Sequence, residues 1–118
     1  MNSFLLVAAG GALGSVSRFG IGLVVNNNSN FPLATIIANI SGCFLIGILE
    51  FFLPDGQLKY LIVPGFLGGF TTFSGFSNDF FKLVSQGNSL TAIGYVSLTV
   101  ILCLFAVFAG NFLAKLLH

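Results

Sequence analysis

Charge is nearly missing from this chain: of 118 residues, 4 are Lys or Arg and 3 are Asp or Glu. A soluble domain carries charge on about a quarter of its residues, so a water-facing globular surface is excluded. A net charge of +1 suggests no polyanion partner. The one histidine, His118, is terminal, which argues against histidine catalysis or ligation. Cysteine is limited to Cys43 and Cys103, both inside hydrophobic stretches. They read as reduced, small packing residues, and two such thiols do not make a metal site. Tryptophan is absent, against fifteen Phe. No acid–base or nucleophile constellation is present, so an enzyme is not expected.

What fills the chain is apolar: 56% hydrophobic residues and a mean hydropathy of +1.04. Four membrane spans of about 20 residues each would use most of it. The expectation is therefore an all-α membrane protein with one four-span domain over 1–118. The N-terminus has no basic region, and its apolar run continues past Arg18 to Val25, so it reads as a first span and not a cleaved leader. That span runs from Ser3 to Val25, followed by a polar loop at 26–30. Pro32 opens span two, which reaches Leu53, and Pro54-Asp55-Gly56 makes a turn. Span three covers Leu58 to Val84. After Gln86-Gly87-Asn88, with Ser89 as a cap, span four covers Leu90 to Leu117. Gly10, Gly11, Gly14, Gly42 and Gly47 permit close helix packing.

Counted by side, Lys59, Lys115 and the α-amine stand against Lys82 and Arg18. That balance gives the positive-inside rule nothing to act on. Such a chain could insert both ways and pair antiparallel; with so few charges, chance balance is the alternative.

Span three is interrupted. The run from Gly65 to Ser77 packs four glycines and four hydroxyls into thirteen residues, which weakens a helix. A bilayer tolerates a broken backbone only where protein or a water-filled cavity satisfies the freed groups. Unwinding at Gly68 to Thr72 would expose carbonyl oxygens, hard ligands suited to a cation such as Na⁺. Phe73 and Phe76 flank the break at i, i+3. Aromatic ring edges are positive and could stabilise a small anion without a full charge. Span two carries Thr35, Asn39 and Cys43 at i, i+4, i+8, and span four carries Tyr95, Thr99 and Cys103 at the same spacing. Asn39 is a donor near mid-bilayer, and interhelical hydrogen bonding is its plainer use. Thr99 and Tyr95 hydroxyls could donate to an anion, although an isolated Thr more often bonds its own helix. Arg18 could draw anions inward, snorkel, or pair with Glu50 or Asp79. Asp79 and Lys82 are spaced as an i, i+3 ion pair.

Three motifs resemble those of the Fluc/CrcB fluoride channels along nearly the whole chain. Residues 10–19, GGALGSVSRF, are similar to GGxxGAxxRY/F. Residues 34–44, ATIIANISGCF, are similar to GTLxxNxxGCF. Residues 65–77, GFLGGFTTFSGFS, are similar to GFxGGxTTFSTFS. The resemblance implies an antiparallel, dual-topology homodimer in a prokaryotic plasma membrane, with two fluoride pores and the third helix broken mid-membrane. It implies a central Na⁺ on main-chain carbonyls, which map to Gly68 and Thr71. Its pore residues map to Asn39, Phe73, Phe76, Tyr95 and Thr99, and its first-motif arginine to Arg18. The chain departs from the pattern at Ser15, Ala34 and Gly75, and Cys103 stands where a further hydroxyl is expected. Two other functions share the four-span size class or the small-residue packing. A proton-coupled small multidrug transporter needs an acid in span one, and none is there. A non-conducting scaffold has only the small-residue packing behind it.

Overall fold

In a computed structural model, residues 2–25 and 31–118 are described; the loop expected at 26–30 lies outside them. The described residues form helices and turns, with no strand among them. Helix α1 spans Ser3–Val25 and α2 spans Leu33–Phe52, with Pro32 at its N-cap. The third segment is composite: α3 (Gln57–Tyr60), a π-helical stretch (Leu61–Leu67), α4 (Gly68–Phe70) and α5 (Phe73–Ser85). Helix α6 covers Ser89–Leu117; Asn88, not Ser89, occupies its N-cap, without a side-chain cap bond.

Three helices, α1, α2 and α6, are long and apolar enough to cross a membrane. Their outward faces are apolar, from Phe4 and Phe19 on α1 to Phe105 and Phe108 on α6, as expected of helices that face lipid or a partner chain. The third segment is no single long helix, for two reasons. Pro64 lies inside the π-helical stretch, where its missing N–H cannot serve an α-helical ladder. At Thr71 and Thr72 the backbone is extended, with ψ of 156° and 121°. The interruption is therefore narrower than the expected unwinding at Gly68 to Thr72: Gly68 and Gly69 remain helical.

Two close pairings set the layout. α1 runs beside the third segment, where a Cβ on Gly10 or Gly14 would strike the carbonyls of Leu61 or Phe66. α2 runs beside α6, where Gly47 meets the backbone of Val107 and Gly110 that of Phe44. The small residues thus let backbones touch. Between α2, α5 and α6 sits a buried apolar cluster of Ile36, Phe76, Leu83, Ala92 and Tyr95. The molecule is a slab, 48 × 32 × 20 Å.

Candidate functional site

Asn39, buried on α2, holds the break open. Thr72 N–H can only donate, so Asn39 Oδ1 faces it at 2.8 Å, and Asn39 Nδ2 donates to the Thr72 carbonyl at 3.0 Å. One carboxamide satisfies both main-chain groups of the residue at which the helix parts. In an unbroken helix the Thr72 N–H would bond the Gly68 carbonyl, four residues back. On the far side of the break the Gly75 N–H donates to Thr72 Oγ1 at 2.9 Å, an N-cap, where an unbroken helix would give it to the Thr71 carbonyl. The carbonyls of Gly68 and Thr71 have thus both lost their helical partners to side chains. Gly68 and Thr71 also line a common cleft, closed by Gly42, Val63 and Pro64. Among the described residues no three His, Cys, Asp or Glu gather to bind a metal. Neutral carbonyl oxygens alone fit a hard, weakly charged cation of the Na⁺ kind.

Arg18 lies on the other flank. Its Nε donates to the Gly69 carbonyl at 3.3 Å, and Ser15 Oγ reaches the same oxygen at 3.5 Å. Neither of the carboxylate partners considered for it is used: Glu50 pairs with Lys59 at 2.9 Å. Arg18 also lines a cleft with Thr35, Thr72 and Gly75.

The expected Asp79–Lys82 ion pair is not formed; the ion pairs among the described residues join Lys59 to Glu50 and Asp55. Asp79 Oδ2 instead accepts from Thr35 Oγ1 at 2.6 Å and Tyr95 Oη at 3.2 Å. Helical spacing alone pointed Asp79 at its own helix, whereas packing turns it toward α2 and α6. Tyr95 is 1% exposed. Its ring stands 5.2 Å from Phe76, and Phe31 meets it edge-on. Sequence reasoning named Tyr95 but missed Asp79 as its acceptor.

Thr35, Tyr95 and Asp79 mark one level of the molecule, and the stripes continue from it in register. α2 and α6 run parallel, so Asn39 stands opposite Thr99 and Cys43 opposite Cys103. These four line one cleft of about 260 Å³ together with Phe73 and Phe76. Tyr95 is not part of its lining. Phe76 is buried while Phe73 is 78% exposed, and their ring centroids lie 5.7 Å apart. Thr99 is buried, and its hydroxyl has no hydrogen-bond partner among the protein atoms. A buried hydroxyl left unpaired is costly, and Thr99 is one of the residues that line the cleft.

The chain matches the family model described as CrcB-like protein, Camphor Resistance (CrcB), over residues 5–111. A protein of Flavobacterium psychrophilum is 40% identical, with 98% of each chain covered. One from Rhizobium meliloti is 41% identical over 93% of this chain and 94% of its own. One from Paracoccus denitrificans is 45% identical over 92% and 91%. Each of the three is named a fluoride-specific ion channel FluC.

Proposed function

Because the chain belongs to the CrcB family, we propose that it is a passive, fluoride-selective channel that drains fluoride from the cytoplasm across a prokaryotic inner membrane. The observation that carries the reading is the unpartnered Thr99 hydroxyl in a cleft shared with Asn39, Phe73 and Phe76. An anion there meets a hydroxyl donor, the second N–H of Asn39 Nδ2 and aromatic ring edges. It meets no full positive charge, and weak binding suits conduction because the ion must also leave. Asp79 fixes Tyr95, and Tyr95 packs on Phe76, so the ring is held from behind. Arg18 sits outside this cleft and raises the local potential for anions. Fluoride enters cells as neutral HF and ionises in a less acidic cytoplasm. An inside-negative potential then drives the anion out with about 2.3 kcal/mol per charge per 100 mV.

The unit is an antiparallel, dual-topology homodimer with two pores, and the third segment breaks at mid-membrane. A 20 Å-thin slab and a largely exposed Phe73 both leave room for a second copy against this face. The near-even distribution of basic residues allows either insertion. Na⁺ would be held by the Gly68 and Thr71 carbonyls of both copies, where it would satisfy the oxygens that the break releases.

In liposomes the Phe73→Ile variant is expected to lower fluoride efflux while the protein keeps its dimeric size. Unchanged efflux would remove the ring from the pathway.

A further inference from the structure

The pathway donors do not end the two stripes. One helical turn beyond Asn39 lies Cys43, and one turn beyond Thr99 lies Cys103. Both are free thiols, and both line the cleft from facing levels of α2 and α6. Thr99, whose buried hydroxyl has no partner among the protein atoms, lines the same cleft. α2 and α6 are in backbone contact a turn further on, where Gly47 and Gly110 meet the facing helix. The thiols therefore sit on a rigid frame.

We propose that Cys43 and Cys103 form a two-coordinate site for a thiophilic metal ion of the mercuric type, and that an ion bound there closes the anion pathway. Ions that demand three or four ligands find no site here; the expectation that two such thiols make no metal site at all left out a linear soft ion. A linear soft ion needs two sulfurs, and thiolates select soft metals. On binding, each thiol releases its proton to water and forms one metal–sulfur bond. No electron is transferred, and a divalent ion with two thiolates makes a neutral complex. Neutrality matters, because a net charge in an apolar interior is strongly disfavoured. Carbonyl oxygens at Gly68 and Thr71 are hard ligands and do not compete for such an ion. The bound ion would stand about one turn from both Thr99 and Asn39, in the space an anion needs.

The closing of the pathway rests on the channel reading; the binding of the metal does not, and the test separates them. Purified protein is loaded with mercuric ion and washed with excess monothiol, and retained mercury per chain is measured. Fluoride efflux from liposomes is read before and after loading. Expected are one retained ion per chain and an efflux at least tenfold below the same protein without metal. Cys43→Ser and Cys103→Ser, like Cys43→Ala and Cys103→Ala, should each lose the ion in the wash and keep their own metal-free efflux. Failure of the wild type to retain mercury, or retention by either single variant, overturns the dithiol site. Retention without slower efflux overturns the closing of the pathway. Absence of fluoride efflux before any metal is added would instead count against the channel reading.

Discussion

Replacing Asn39 with alanine tests whether its carboxamide is a splint. The change removes the 2.8 Å and 3.0 Å bonds to Thr72 and strands a main-chain donor and acceptor in the interior. At roughly 1–3 kcal/mol for each stranded group, the loss is about 2–6 kcal/mol, a large share of a native stability of about 5–15 kcal/mol. The chain has one repair: the Thr72 N–H can return to the Gly68 carbonyl. That recovers about 1 kcal/mol but straightens the break and consumes an oxygen of the proposed cation site. Thr99→Val supplies the contrast. The Thr99 hydroxyl has no partner to lose, so a valine of the same shape leaves stability equal or higher while deleting a pathway donor. The assays are unfolding in detergent followed by helical circular dichroism, and fluoride efflux from liposomes. Asn39→Ala should fall in both, Thr99→Val in efflux alone. An Asn39→Ala protein that unfolds with the wild type would refute the splint. A Thr99→Val protein as destabilised as Asn39→Ala would refute the unpaired hydroxyl.

Asp79→Asn replaces two charge-assisted bonds from Thr35 and Tyr95 with neutral ones; it should lose about 1–3 kcal/mol in the unfolding assay and slow fluoride efflux through the loosened Tyr95–Phe76 pair. Gly110→Val drives a side chain into the Phe44 carbonyl; separation of α2 from α6 should lower the yield of folded protein, read as the monodisperse fraction in gel filtration. Lys59→Ala removes exposed ion pairs to Glu50 and Asp55; such pairs contribute little, so melting and efflux should both match the wild type.

Much of the helix pattern was legible because it is local. α1 has the expected bounds, Ser3–Val25, and Gly10, Gly14 and Gly47 do bring backbones together. The glycine- and hydroxyl-rich run announced the interruption but drew it too wide. Local propensity carried it back over Gly68 and Gly69, whereas the helix parts only at Thr71 and Thr72, where a side chain 33 residues away takes the Thr72 N–H. No window of sequence contains that contact. The π-helical stretch escaped notice because Pro64 read only as part of an apolar span. The stripes through Asn39 and Thr99 were legible at i, i+4 spacing, but their facing register required α2 and α6 to run parallel. Asp79 was misassigned for the same reason: Lys82 is near in sequence, while Thr35 and Tyr95 are near in space.

The central claim is that this cleft passes fluoride and little else. Protein reconstituted in liposomes loaded with either fluoride or chloride, under a potential set by a potassium ionophore, tests it most directly. Rapid fluoride efflux with chloride held back, and with no dependence on a proton gradient, is the predicted result. Equal fluxes of the two anions, or no fluoride efflux, would contradict it.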